Sequence, residues 1–503
     1  MEHILIVDVG TSSLKSMLYD VAGNLLFRSG MEYHSEFFPG NRVEQKPSSW
    51  KEALLFTFTE TAQYVREKNI VVDGICVTSQ RASVIPVDAK GEPLYNALMW
   101  QDKRSVDQCK KLTEHLNLHD IYSRTGLRID PYFSAPKMMW LKDNEPDIFA
   151  KSHKLIGVQD YVIYLLTGKF ATDWSQACRT MLMNISKFAW DEDMLSITGI
   201  SPDLLPELLP PGSIAGKLTA ELAAVTGLPS GIPVVIGGGD QQCAALALNI
   251  LRPGDAEANT GTGSFVIAYS EKPQFDAECR TLCSASAIPG KWIAEAGIFN
   301  SGSIHRWFKE QCYPAGENVY KLMNSEAAKS PVGANGVMML PHFEGSAAPY
   351  WNPMAKGMFF NLSLGTKRSD FTRAILEGIA LEIRHNLTLI ENLTGHIATV
   401  SVAGGLTSFG LFNQIQSDAF NKTVIRYDNN EASSLGALMS AGVTMGLYQD
   451  YGAAFKQVTA TDPIIFTPDA VNVEKYTTLF KRKDQLYNIL NQGDIYNLFR
   501  GAL

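Results

Sequence analysis

Apolar residues at the start of the chain fall in short blocks separated by glycine-containing turns, the pattern of strands and hairpins. His3–Asp8 reads as a buried strand, Leu14–Asp20 as a second and Leu25–Met31 as a third. Gly10-Thr11-Ser12-Ser13 and Ala22-Gly23-Asn24 are the turns between them. From about Trp50 to Glu67 the pattern predicts a helix, with Ser48 or Ser49 as its cap. Val72–Thr78 is the next strand, with Gln80-Arg81 at its end, and residues 100–170 read mainly as helix, interrupted by Ile129-Asp-Pro-Tyr-Phe-Ser134. Proline and glycine are dense in 205–233, which predicts a surface connection. Pro233–Ile236 is then a buried strand running into Gly237-Gly-Gly239, followed by an apolar helix over Gln241–Ile250. Asp255–Gly263 leads into a Gly/Thr turn, and Thr399–Ala403 is a strand ending in Gly404-Gly405. Helices are expected from about Phe409 to Phe420 and from Glu431 to Gly442, with a short tail after about Gly493.

Strand, glycine turn, strand and helices thus occur in both halves, which predicts an α/β protein of two domains facing each other across a ligand cleft. The two glycine turns suit phosphate. Gly10, Thr11, Ser12 and Ser13 offer amide and hydroxyl donors, and Gly261-Thr262-Gly263 repeats the chemistry in the second half. Asp8 closes the first strand, where a carboxylate can hold Mg²⁺ directly or through water. Asp240, at the end of a strand and ahead of a phosphate-type loop, suits a proton acceptor. Gly404 and Gly405 let a flat base or ribose lie against backbone at a helix start. Taken alone, each element has a plainer reading as an ordinary turn or cap. Arg81 alone suits a surface ion pair, and Trp100 or Tyr132 alone suits packing. Their combination favours chemistry. No G-x-x-x-x-G-K-[ST] is present, which excludes a P-loop.

Composition narrows the class. At 503 residues, 45% hydrophobic and 19% charged, the chain has ample apolar surface for two cores. A net charge of −8, with no dense run of Lys or Arg, argues against nucleic acid. No stretch of 18 apolar residues predicts a membrane span, and the N-terminus lacks the pattern of a signal peptide. Seven scattered cysteines point to reduced thiols in a cytoplasmic setting. Cys279 and Cys283 lack the second pair or histidines of a zinc site.

In order along the chain stand Asp8-Val-Gly-Thr-Ser-Ser13, Ser79-Gln-Arg81, Trp100-Gln-Asp102, Ile129-Asp-Pro-Tyr-Phe-Ser134, Gly239-Asp-Gln-Gln242, Gly261-Thr-Gly-Ser-Phe265, Gly345-Ser-Ala-Ala-Pro-Tyr-Trp351 and Ala403-Gly-Gly405. From Asp8 to about Leu447 this set resembles the FGGY family of carbohydrate kinases, in its glycerol-kinase-like branch. The resemblance implies two RNase-H-like domains of the actin/hexokinase kind, expected at 1–240 and 241–503. It implies ATP in the cleft, Mg²⁺ bridging its phosphates, and a small sugar or polyol as phosphate acceptor. It leaves a homodimer or higher homo-oligomer open.

By resemblance, Asp240 is the general base and Gln241 bonds a second hydroxyl. Arg81, Trp100 and Tyr132 match positions that line the sugar or polyol pocket. Asp8 matches the Mg²⁺-associated aspartate. Gly10, Thr11, Ser12, Ser13, Lys15, Gly261, Thr262, Gly302, Arg306, Gly404, Gly405 and Phe409 fall on the nucleotide side.

Departures from the family pattern bear on specificity. Glycerol kinases follow the arginine with a glutamate, where this chain has Ala82; loss of such a charged acceptor typically costs about 1.5–3 kcal/mol. Lys15 stands where they have arginine, and Arg306 and Phe409 where they have glutamine and asparagine. Ser79-Gln-Arg-Ala82 replaces the Gln-Met-His-Gly of xylulokinases, which argues against xylulose. Autoinducer-2 kinases also carry an arginine here, so a linear signal molecule is a second substrate expectation. Glycerol itself is a third. A nucleotide-switched binding protein on the actin-like fold is the non-enzymatic alternative.

Overall fold

The computed structural model describes residues 2–427, 431–459 and 462–499. Two mixed sheets organise them, built on one plan. The first contains β1 (His3–Val9), β2 (Ser13–Asp20), β3 (Leu25–Glu32), β4 (Gly74–Ser79), β5 (Ile214–Lys217) and β6 (Pro233–Gly239), in the order β5-β6-β4-β1-β2-β3. Neighbours β1, β2 and β3 are antiparallel, whereas β4 and β6 continue the sheet parallel to β1. The second contains β7 (Asp255–Thr260), β8 (Ser264–Ser270), β9 (Leu282–Ala285), β10 (Trp292–Ile298), β11 (Thr399–Ala403), β12 (Thr423–Arg426) and β13 (Ile464–Phe466). Its order is β9-β10-β8-β7-β11-β12-β13. Again three antiparallel strands, here β7, β8 and β10, are extended by parallel β11 and β12. This repeated plan is the expected pair of RNase-H-like units.

Both faces of the first sheet are covered, which is why β1 reads as a continuous apolar run rather than an alternating one. Leu5 and Val7 pack with Trp50, Leu54 and Phe58 of α1 (Pro47–Lys68). Ile4 and Ile6 face the other way. With Met17, Cys76 and Val235 they meet Cys243 and Leu246 of α3 (Asp240–Ala247), and Ala437, Leu438, Met439 and Ala441. Those last four lie on α7 (Ala432–Thr444), which follows all strands of the second sheet but β13 in sequence yet completes the core of the first. The second core gathers Val266, Ala294, Ile375, Ile379, Val400 and Phe412 around α5 (Arg368–Thr394) and α6 (Gly410–Phe420).

Local expectations needed three corrections. Neither Ser48 nor Ser49 caps α1: the helix starts at Pro47 after Lys46, whose side chain makes no cap bond. Proline's fixed φ and missing N–H suit the first helical position. The 205–233 connection is partly sheet, because Ile214 and Lys217 of β5 pair with Val235 and Pro233. The segment after Gly493 is not a plain tail but carries a helical turn at Ile495–Leu498. Among the described residues no helix is long and apolar enough to cross a membrane.

Candidate active site

Parallel strands in adjacent positions end together, and loops at their carboxyl ends share one crevice. In the first sheet β6, β4 and β1 lie side by side. Asp240 follows β6, Arg81 follows β4 and Asp8 lies near the end of β1, so residues far apart in sequence are brought to one edge. Gly239 is required by this crowding, since a Cβ there would collide with the Arg81 side chain. The Gly239 amide donates to Ser175 Oγ at 2.8 Å, and Ser175 donates in turn to buried Asp173, which fixes the backbone before Asp240. Asp240 is the first residue of α3 and does not cap it through its side chain; its Oδ1 accepts from the Gln241 amide at 2.7 Å.

A carboxylate from the other sheet reaches this edge. Glu295 of β10 accepts from Arg179 Nη2 through Oε2, and Arg81 Nη2 lies 3.9 Å from the same oxygen. Burial alone would raise the Glu295 pKa, but Arg179 and Arg81 outweigh it and hold the carboxyl below its usual range. Two buried guanidiniums therefore share one carboxylate. Arg81 Nη1, Arg179 Nε, Gln80 Nε2 and the Oε1 atoms of Gln241 and Gln242 are buried without a hydrogen-bond partner among the described residues. Native interiors rarely leave so many polar atoms unsatisfied in one place. A polar ligand is the natural complement.

Tyr132 and Trp100 form an aromatic wall, with ring centroids 5.7 Å apart and an edge-on tilt of 61°. Tyr132 feels the charges of Arg179, Arg81, Asp240 and Glu295, which places it in the same cluster, and burial raises its phenol pKa. Trp100 Nε1 donates to Thr11 Oγ1 at 3.1 Å, so this wall grips the first glycine turn directly.

Burial pushes the Asp240 carboxyl above its ordinary range, against the pull of Arg81, the Gln241 amide and Arg179. Asp240 keeps some accessible surface while protein surrounds it, as expected at the floor of a cleft. Asp8 is raised to about 7, chiefly by burial and then by the Asp240 charge, with Lys15 opposing. Two mutually repelling carboxylates beside a polar turn fit a divalent cation. Among the described residues no group of three or more His, Cys, Asp or Glu side chains forms a closed metal site. So sparse a set of protein donors is compatible with Mg²⁺, which commonly keeps waters and phosphate oxygens as ligands.

The second sheet builds a contrasting cavity of about 330 Å³. Gly261 and Thr262 after β7, Gly302 and Arg306 on α4 (Gly302–Cys312), and Gly405 and Phe409 after β11 all border it, with His305 and Tyr320. Gly302 packs its backbone on the Gly261 carbonyl, where a Cβ would collide. Gly404, at φ 93°, sits against the Thr260 carbonyl in the same way. The Thr262 carbonyl accepts from the amides of Ser301 at 2.9 Å and Ser303 at 3.1 Å, which anchors the turn while the Thr262 side chain faces solvent. His305 stacks on Tyr320 at 5.4 Å, and Phe409 lies 6.5 Å from each ring. Glycine backbone plus aromatic faces suits a nucleotide.

Gly10 of the first turn and Lys15, just past it in β2, are already engaged. The Gly10 amide donates to the Ser13 carbonyl at 2.9 Å and closes the turn, so it is not a spare phosphate donor. Lys15 Nζ pairs with Glu431 at 3.1 Å, and Arg28 joins the same carboxylate at 2.9 Å. Ser12 is exposed, and Thr11 is half-buried beneath the Trp100 contact. Sequence reasoning missed Arg179, Glu295, His305 and Tyr320. Glu295 had a signal, as a lone charge within the buried run Trp292–Ile298, but Arg179 lies in an undistinguished segment.

Residues 3–247 match the N-terminal domain of the FGGY family of carbohydrate kinases, and residues 256–445 its C-terminal domain. The chain belongs to that family. It is 29% identical over 486 residues to a gluconokinase of Bacillus subtilis strain 168, covering 95% of this chain and 94% of the relative. A xylulose kinase of the same strain is 28% identical over 487 residues, with 97% of each chain covered. The structure of Plasmodium falciparum glycerol kinase with ADP superposes with a TM-score of 0.89 at 26% identity, covering 96% of this chain and 98% of that one. This FGGY kinase is thus a phosphotransferase with an alcohol group as acceptor, using ATP on a sugar or polyol.

Proposed function

We propose that Asp240 is the general base of this transfer and that the acceptor is a sugar acid whose carboxylate meets Arg81 and Arg179. The observation carrying the reading is the placement of Asp240 beside two arginines that share a single carboxylate, with Arg81 Nη1 and Arg179 Nε unpaired among the described residues. Asp240 takes the proton of the acceptor hydroxyl as its oxygen attacks the γ-phosphorus, and the bond from that phosphorus to the β–γ bridging oxygen breaks. The products are a phosphate monoester and ADP, with the proton left on Asp240. Gly261, Thr262, Gly302, Arg306, Gly404, Gly405 and Phe409 border the nucleotide, and Thr11, Ser12 and Ser13 approach its phosphates. Gln241 and the Trp100–Tyr132 wall orient the acceptor. Asp8 would hold Mg²⁺, which when bound would supply neutralisation of phosphate charge.

The relatives are named for gluconate, xylulose and glycerol. Ala82 removes the acidic partner expected of a glycerol site, and Ser79-Gln-Arg-Ala82 differs from the xylulokinase pattern. An anionic oxygen on the acceptor supplies the missing partner for the two guanidiniums, because charge-assisted bonds to arginine are the strong ones. The test is ATP consumption with gluconate, glucitol, xylulose, glycerol, other aldonates with their matched alditols, and the autoinducer-2 precursor. An aldonate is expected to lead its alditol by at least about 100-fold in kcat/KM, roughly 2.7 kcal/mol. A neutral polyol or a ketose turned over as well as any aldonate would overturn the carboxylate reading.

A further inference from the structure

Behind the substrate pocket, backbone carbonyls from two segments converge on one side chain. Lys137 lies in the first turn of α2 (Ser134–Asn144) and is completely buried. Its ammonium donates to Pro131 O at 2.9 Å and to Tyr132 O, with Ala82 O and Phe133 O each 3.3 Å away. Those oxygens belong to the Arg81–Ala82 corner after β4 and to the loop that carries Tyr132. Among the described residues, its hydrogen-bond partners are all carbonyl oxygens.

A buried cation held by neutral dipoles is poor for stability, and an apolar side chain of the same volume would serve a core better. Burial accordingly pulls the ammonium pKa down to about 7, against the opposing pull of Asp102, Asp130 and Cys109. The corner it holds is itself strained. Ala82 sits at φ 67°, a left-handed conformation that a residue with a Cβ adopts only under constraint. An ammonium with three N–H donors is suited to fasten several carbonyls at once.

We propose that Lys137 is a positioning residue that clamps the Arg81–Ala82 corner to the Pro131–Phe133 loop, and so sets affinity for the phosphate acceptor while leaving nucleotide affinity alone. The role rests on the kinase reading above. It acts through Arg81 and Tyr132, and Lys137 touches neither substrate.

The experiment compares full-length wild type with Lys137→Met, which keeps length and removes the donors, and Lys137→Arg, which keeps the charge. The KM values of the best acceptor and of ATP are measured separately. Lys137→Met should raise acceptor KM at least about tenfold with ATP KM within about twofold, and Lys137→Arg should recover part of that loss. Acceptor KM unchanged, or rising in step with ATP KM, would overturn the clamp.

If Lys137→Met does not fold, the wild type decides through its pH profile. Asp102, Arg104, Asp130 and Cys109 face the ammonium; Asp102 is tied to Arg104, and the Cys109 thiol is pushed up to about 12. Acceptor KM should therefore climb as Lys137 loses its proton between about pH 6 and about pH 9 while ATP KM stays flat. A constant ratio of the two KM values over that range overturns the proposal. Wild-type protein that consumes no ATP with any acceptor would instead remove the kinase reading beneath it.

Discussion

The two halves of the cleft solve recognition with opposite materials. At the edge of the first sheet, the side proposed for the acceptor is a charged cluster in which Arg81, Arg179 and Asp240 constrain one another, with Glu295 reaching in from the second sheet. On the second sheet the nucleotide side is mostly backbone, with Gly261, Gly302 and Gly405 below three aromatic rings. A backbone cradle can accept any ligand with the right phosphates, because amides carry little information about what lies beyond. A charged cluster is selective, because each unmatched group costs free energy when it is desolvated. On the proposed reading, substrate choice is concentrated on the first side, and the second is free to stay generic.

Substitutions on the two sides should separate along that line. The largest effect is expected from Asp240→Asn, which removes the proton acceptor and keeps the shape. Turnover should fall about 10²–10⁴-fold with nucleotide binding retained. Retained wild-type turnover would show that another group takes the proton. Because burial raises the Asp240 pKa and the base must be ionised, wild-type turnover should rise with pH through a value above the ordinary carboxylate range. A rate profile that breaks only near the usual aspartate value would contradict this assignment.

Glu295→Gln leaves two buried guanidiniums without their anion and should cost about 3–5 kcal/mol of stability, read as a lowered denaturant midpoint. Acceptor turnover should fall with it, and ADP affinity measured on the folded fraction should hold. A smaller effect is expected on the other side. Gly302→Ala places a Cβ against the Gly261 carbonyl and should raise ATP KM about tenfold, roughly 1.4 kcal/mol, with acceptor KM little changed. Thr262→Val should be milder still, about 1 kcal/mol for one lost hydroxyl donor, or a few-fold in ATP KM. An acceptor-side effect from either substitution would blur the division drawn here.

The same division governs what was legible in the sequence. The backbone cradle announced itself as glycine turns after strands; Gly302 and Gly404 pack against carbonyls, whereas nothing crowds Gly261 or Gly405. Gly261, Gly302, Gly404 and Gly405 were all identified that way or through the family pattern, and they do converge. The strands were legible for a similar reason, since Ile4–Val7 buried on both faces leaves a continuous apolar run. The charged cluster was half legible. Asp240 and Arg81 sit at strand ends beside motifs, whereas Arg179 and Glu295 acquire meaning only when the two sheets are brought together. Engagement of the Gly10 amide within its own turn was equally hidden, because a hairpin hydrogen bond and a phosphate bond call for the same residue.

The position of α7 in the chain has a consequence for how the protein is made. The face of the first sheet that carries Ile4, Ile6 and Val235 is finished by Ala437, Leu438 and Met439, about 200 residues after β6 has left the ribosome. At the usual pace of synthesis, about 5–20 residues per second, that face waits roughly 10–40 s with only α3 against it. During that interval an N-terminal half with all its strands made still presents a greasy surface to its surroundings. The waiting face is a natural client for a chaperone, and fragments ending short of α7 should collect in the insoluble fraction when expressed on their own.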